Sequence, residues 1–201
     1  MSLIPIQKDL GYLDVSGRLV QSGARLIFID NALLNITETA LALIGVIPVI
    51  TLEEVDPRYP HIDVLLKQEV NALRFYLSSA RKHIAFINST SGSTGKMKSV
   101  LTSHAHFIAV MDATRATILE NTNPDEDVWT SIISLGYCIC GKLFMGLNVL
   151  LGILVVLLKN PLNHTSLDAI TRHKVSFLFI TPTLAAQIAK ADTTNHDFSS
   201  I

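Results

Sequence analysis

From Ser131 to Leu158 the chain is almost unbroken apolar, with Lys142 as its one cation. A transmembrane helix needs about 20 consecutive apolar residues, so this stretch allows two folds. In one it crosses a bilayer. In the other, Gly141, Gly146 and Gly152 punctuate it, a helix stops at glycine, and Ile153-Leu154-Val155-Val156-Leu157-Leu158 follows as a buried strand. Helix, glycine, strand satisfies every backbone polar group inside a soluble fold, and it is the preferred reading. A membrane protein anchored through 131–158 is the alternative.

The rest of the chain supports a soluble fold. Of its 201 residues 49% are apolar and 16% charged, enough for a core and too few charges for disorder. A net charge of −1 gives no sign of a nucleic-acid or acidic-membrane partner. Cys138 and Cys140, separated by one residue, are too close for an ordinary structural disulfide and read as reduced core residues of a cytosol-like compartment. Met1-Ser2-Leu3-Ile4-Pro5 lacks the cationic start and apolar core of a signal peptide. A cytoplasmic location is expected, and the sequons at Asn35, Asn88 and Asn163 read as incidental.

Along the chain, Pro5 to Gly23 reads as a helix with Leu10, Leu13, Val15 and Leu19 inward and Gly23 as its stop. Ala24 to Ile29 is a strand. Asn31 caps a helix to about Ile44 with Leu33, Leu34, Thr37 and Leu41 on related faces, Gly45 ends it, and Val46 to Leu52 is a strand interrupted by Pro48. Glu53 to Ala80 reads as a surface connection with one irregular helix. His83 to Ile87 is a strand, Lys98 to Thr102 is extended, and Ser103 caps a helix to about Glu120 offering Ile108, Val110, Met111 and Ile118 to the core. After a polar turn at Asn121–Asp127 come a strand at Val128–Ile133, the helix–strand pair of the apolar run, a helix at Leu167–His173 capped by Thr165, a strand at Val175–Ile180, and a last helix opened by Pro182. Strand–helix–strand repetition implies an α/β fold, a mostly parallel sheet with flanking helices.

The densest cluster of hydroxyls, glycines and cations is Thr90-Ser91-Gly92-Ser93-Thr94-Gly95-Lys96-Met97-Lys98, set between two strand-like runs. Such a loop offers backbone N–H groups and hydroxyls with little obstruction, the chemistry that cradles phosphate oxygens. A Walker loop needs four residues between its glycines and a hydroxyl after its lysine. Here Gly92 and Gly95 are too close and Met97 follows Lys96, so that reading fails. The dinucleotide fingerprint fails as well, because no Gly-x-Gly pair opens a helix.

In register, Ile87, Thr90-Ser91-Gly92-Ser93-Thr94-Gly95 and Lys98 resemble the phosphate loop of the adenylate-forming enzymes, the superfamily of acyl-CoA synthetases, luciferases and peptide-synthetase adenylation domains. Met97 stands where that pattern usually has Pro, and Val100-Leu101-Thr102-Ser103-His104 is similar to the stretch that follows it. Further similarity to the coumarate–CoA ligase-like branch lies in Leu19–Ile27, Gly45–Ile50, Leu151-Gly152, Leu167-Asp168-Ala169-Ile170, Val175-Ser176 and Ile180-Thr181-Pro182. The resemblance implies ATP with Mg2+, a small-molecule carboxylic acid, and CoA as co-substrate. It also implies ATP/phosphate contacts from Thr90, Ser91, Gly92, Ser93, Thr94, Gly95 and Lys98, hydroxyls and amides following the β- and γ-phosphates while Lys98 adds charge.

Two departures qualify that expectation. Where the branch carries Pro-x-Phe-His-x-x-Gly at its acyl site, this chain has Leu135-Gly136-Tyr137-Cys138-Ile139-Cys140-Gly141, with Cys138 in the His position. The Tyr-Gly-x-Thr-Glu segment for adenine and magnesium, the ribose-binding Asp and the C-terminal catalytic Lys do not occur in residues 1–201. The expectation is therefore a partial N-terminal adenylation domain over residues 1–201, truncated at both ends, lacking leading strands of its sheet and its C-terminal domain and inactive alone, with no catalytic or metal-ligating residue assigned. A non-catalytic nucleotide-binding or scaffold remnant is the second possibility. His104 and His106 read as boundary residues of a helix start, Asp125-Glu126-Asp127 as a solvated turn, and Lys142 as snorkelling or pairing at a helix end.

Overall fold

The computed structural model describes residues 2–6, 10–54, 56–68, 76–90, 98–118, 122–158, 164–191 and 193–201. They form two compact units, Met1–His104 and Ala105–Ile201.

In the first unit, α1 (Tyr12–Ser22) begins only after Gly11, whose extended backbone serves as the N-cap, so the helix is shorter than expected. It ends where the sequence marks it. Gly23 sits at φ 64, and the N–H groups of Gly23 and Ala24 reach back to Val20 O and Leu19 O at 3.2 Å each. Val15 and Leu19 are buried, but Leu13 is 64% exposed, because two residues from Val15 it falls on the far side of the helix.

The strand–helix–strand unit forms as expected. β1 (Ile27–Ile29) and β2 (Val49–Thr51) pair in parallel, Ile27 with Val49 through Ile29 with Thr51. Between them run a 3-10 turn (Asn31–Leu33) and α2 (Leu34–Ile44). The cap is Asp30 rather than Asn31: its Oδ1 accepts the Ala32 N–H at 2.9 Å, while Asn31 Nδ2 donates to Glu53 at 3.2 Å. Gly45, at φ 100, closes α2 by donating to Leu41 O. Leu34, Thr37 and Ala40 face inward. Tyr59 donates to Glu38 at 2.8 Å, and the Arg58 guanidinium bridges Asp56 and Glu38, which ties the following connection to α2. That connection holds the short α3 (Ile62–Leu66). Last come β3 (Ile84–Ser89) and β4 (Ser99–Ser103), an antiparallel pair inside an otherwise parallel scheme.

The second unit packs helices on a three-stranded parallel sheet. Its members are α4 (His104–Ile118, whose first residue belongs to the first unit), β5 (Val128–Ser131), α5 (Cys138–Lys142), a π-helical turn (Leu143–Leu147), α6 (Asn148–Leu151), β6 (Leu154–Leu157), α7 (His164–Arg172), β7 (Phe177–Phe179) and α8 (Pro182–Lys190). The strand order is β6-β5-β7. Central β5 carries Trp129, fully buried, with Phe144 edge-on at 6.3 Å and Phe177 at 5.1 Å between ring centroids. Thr130, also fully buried, donates its hydroxyl to Val156 O at 2.7 Å. Pro182 opens α8 as expected, with Thr181 as cap accepting from Leu184 N at 3.3 Å. Thr165 lies inside α7 rather than before it.

The apolar run resolves as helix, glycine, strand. Three short helical turns end at Gly152, φ 73, and β6 follows. Among the described residues no helix is long and apolar enough to cross a membrane. Met111 of α4 is 2% exposed, but Ile108 is 55% exposed, because one residue after Phe107 it is turned about 100° from the face that Phe107 and Met111 share. Within the π turn, a Cβ added at Gly146 would stand 2.9 Å from Phe107 Cζ and 3.2 Å from Met111 Sδ. Asp127 turns the chain into β5: one carboxylate oxygen accepts from Asn123 N at 2.7 Å and the other from Ser176 Oγ at 2.7 Å. Gly152→Ala is expected to lower unfolding stability by about 1 kcal/mol, because a left-handed residue is forced to carry a Cβ; chemical denaturation measures it.

Candidate functional site

The glycine-rich stretch belongs to a hairpin. β3 and β4 pair in the register Ile87 with Leu101, Asn88 with Val100 and Ser89 with Ser99. β3 is also held on its other edge, where Leu3 N–H donates to Ala85 O at 2.8 Å and Ile87 N–H donates to Leu3 O at 2.9 Å. One step past the last strand pair, Thr90 N–H donates to Lys98 O at 2.9 Å, and Lys98 N–H donates to Thr90 Oγ1 at 3.1 Å. The two ends of the loop are thus clamped together, and whatever residues 91–97 do starts and finishes at one point.

Of the expected site residues, Thr90 and Lys98 are brought together. Ser91, Gly92, Ser93, Thr94 and Gly95 lie outside the described residues. Thr90 is exposed, and its hydroxyl has one lone pair engaged by Lys98 N–H, which leaves its own hydrogen free to donate. Lys98 is exposed and has no ion-pair partner among the described residues, so its charge is available to an anion. Behind the loop, Ser99 Oγ donates to Gln21 Oε1 of α1 at 3.2 Å, and His104 N–H donates to His83 O at 3.1 Å. Neither the clamp nor the Ser99–Gln21 tie is announced by the sequence. The only signal would be a hydroxyl residue and a lysine at equal distances from a Ser–Ser strand pair.

The segment 135–141 runs into α5, which starts at Cys138. Both thiols are free, but only Cys140 is a core residue; Cys138, at the first position of α5, is exposed, contrary to the expectation from the apolar run. Burial pushes the Cys140 thiol up, partly offset by Ser131, whose Oγ lies 3.7 Å from the sulfur. His104 and His106 occupy the first turn of α4, and Asp127 is consumed by the hydrogen bonds of its turn. Among the described residues no three His, Cys, Asp or Glu side chains converge as a metal site.

Two outcomes follow from this geometry. Thr90→Val, which removes the acceptor, is expected to speed amide hydrogen exchange at Lys98 about fivefold, the worth of one modest hydrogen bond, whereas Thr90→Ser leaves it unchanged. At mildly alkaline pH iodoacetamide is expected to label Cys138 and spare Cys140, whose raised thiol stays protonated and covered; mass spectrometry of the labelled peptide reads the result.

A family model described as AMP-binding enzyme matches residues 1–201. A search of curated proteins returns no match. Among solved structures, the luciferase-like enzyme of the nonluminescent mealworm Zophobas morio is similar with a TM-score of 0.80 at 17% identity, over 96% of this chain and 44% of that one. An amide bond synthetase from Marinactinospora thermotolerans gives 0.80 at 20% identity, over 99% and 38%. The o-succinylbenzoate CoA synthetase of Bacillus subtilis, solved with its acyl-adenylate intermediate, gives 0.73 at 20% identity, over 100% and 47%. At such identities the likeness is one of fold, and the chain spans less than half of each of these structures. The match of the family model along the whole length, agreeing with the register of the loop and with the fold, places the chain in the family of AMP-binding, adenylate-forming enzymes.

Proposed function

We propose that residues 1–201 are the phosphate-handling part of an adenylation domain whose reaction is that of an acid–thiol ligase. A carboxylate oxygen attacks the α-phosphorus of ATP, the bond to the β-phosphate oxygen breaks, and pyrophosphate leaves. The CoA thiol then attacks the acyl carbonyl and AMP departs. The observation that carries this reading is the clamped hairpin, in which Thr90 and Lys98 meet at the mouth of a loop with the family's residue pattern.

In this reading Ser91, Ser93 and Thr94 offer hydroxyls and Gly92 and Gly95 offer unhindered amides to the β- and γ-phosphate oxygens, where charge grows as pyrophosphate leaves. Lys98 neutralises part of that charge at the loop's exit. Thr90 chiefly holds the loop closed, with its remaining O–H able to reach the same oxygens. Mg2+ would be carried on the nucleotide's phosphates and water, as is usual for this ion. Adenine and ribose contacts, and the lysine that serves the acyl-transfer half, are assigned to polypeptide outside residues 1–201, since the family's segments for them do not occur in this span. The carboxylic acid would pass the Cys138 position without an imidazole there, which favours acids that need no such hydrogen bond.

Calorimetry with Mg·ATP tests the loop. The 201-residue chain is expected to bind it, and Lys98→Ala to weaken binding roughly tenfold, the loss of one charge-assisted contact. Equal absence of binding in both would favour a scaffold remnant over a nucleotide site. Pyrophosphate exchange with a panel of aryl and fatty acids tests the division of labour. No turnover is expected from this chain alone, and turnover at rates usual for such ligases would overturn it.

A further inference from the structure

The clamp at Thr90 and Lys98 fixes the two ends of the loop to each other, but not to the rest of the fold. Within the first unit, β3 is backed by Leu3 at Ala85 and Ile87. The pairs that lead on to the loop, Asn88 with Val100 and Ser89 with Ser99, lie beyond that support. A two-stranded ladder is marginal in water, and the pairs at its open end are the first to part.

Among the described residues, one hydrogen bond joins this end of the hairpin to another element. Ser99 Oγ donates to Gln21 Oε1 of α1 at 3.2 Å, across 78 positions of sequence. The helix is a firm anchor. Val15 and Leu19 seat it in one core with Ala40 of α2, and its last turn is closed by the Gly23 and Ala24 N–H groups on Val20 O and Leu19 O. Gln21 lies in that closed turn. Ser99 directly follows Lys98, so holding its side chain holds the start of β4 one residue from the ammonium-bearing side chain. Both Gln21 and Ser99 are exposed, so the bond adds little to folding, since water replaces it on opening. What it does restrict is the direction in which the neck of the loop points. A neutral acceptor suits that place, because a carboxylate would accept the same bond but bring negative charge to the neck of an anion site.

We propose that Gln21 is a positioning residue for the phosphate loop: through Ser99 Oγ it holds the neck of the loop, and Lys98 with it, in one direction relative to α1. The proposal rests on the reading of residues 90–98 as the phosphate site, and Gln21 itself touches no phosphate. Every other direction the neck takes is one from which it must be recovered before Lys98 meets an anion. Affinity falls by the fraction of the chain in the competent arrangement. One exposed hydrogen bond shifts such a fraction by a small factor, about threefold.

The test is calorimetry with Mg·ATP on the 201-residue chain and its variants. Gln21→Leu and Ser99→Val each remove the bond while suiting a helix and a strand respectively, and each is expected to weaken binding about threefold. The double variant is expected to bind no more weakly than either single one, because both changes remove the same contact. Ser99→Thr keeps the hydroxyl and is expected to restore the affinity of the unaltered chain. Urea midpoints are expected to coincide throughout, which a merely structural role would not allow. In the nucleotide-free chain, Gln21→Leu is expected to speed amide hydrogen exchange at Thr90 and Lys98 about threefold. Additive losses in the double variant, a lowered midpoint that accounts for the weaker binding, or unchanged exchange at Thr90 and Lys98 would overturn the proposal. Failure of the unaltered chain to bind Mg·ATP overturns the phosphate reading, and the positioning role with it. Binding that is indifferent to Gln21 and Ser99 overturns the positioning role alone.

Discussion

The geometry of the candidate site depends on one strand being held from both sides. β3 is bonded to β4 along one edge and, at Ala85 and Ile87, to Leu3 along the other. Closing a loop costs chain entropy, and the cost is met at Thr90 and Lys98 by a reciprocal pair of hydrogen bonds rather than by the loop's own residues. Loop residues relieved of that duty are free to be glycines and small hydroxyls, which contribute little to folding. The hairpin is thus closed at Thr90 and Lys98, outside the glycines and hydroxyls of the motif.

What the sequence made legible is what is local. Gly23, Gly45 and Gly152 end their helices, and Pro182 with Thr181 starts one, because a left-handed residue or a fixed φ acts within a few positions. Misplaced residues are those where two local signals compete. Asn31 and Asp30 are both good caps, and the choice fell to Asp30 because Asn31 is engaged by Glu53, far along the chain. Leu13 and Ile108 are apolar and helical but lie off the buried stripe, and an apolar residue on an outer face is unremarkable for a folded surface. Nor does alternation say which way a partner strand runs, so the antiparallel turn of β3 into β4 was hidden in a chain otherwise built of crossovers. The bond from Ser176 to Asp127 joins residues 49 apart and has no sequence signature at all.

The loop was readable for a different reason: the register of its glycines, hydroxyls and Lys98 resembles that of one family, and the model of that family matches the whole chain. That pattern is recognisable with Met97 in place of proline and at 17–20% identity to the three similar structures described above. The clamp was not readable, because Thr90 fits a phosphate contact and a backbone acceptor equally well. Only the neighbouring Lys98 amide distinguishes the two.

Gly146 carries a consequence for how this fold can vary. A Cβ at that position would crowd Phe107 and Met111, which face it from α4, so one of them must shift to admit it. The spacing of those helical turns is therefore set by a missing side chain, and the three positions form a single volume constraint. Substitutions there should be inherited together or not at all: an alanine at 146 becomes tolerable once 107 or 111 has shrunk, and a shrunken 111 leaves a void until 146 grows. Within descendants of this chain, 107, 111 and 146 should covary as a set, a trace in lineages of a contact made by an absence.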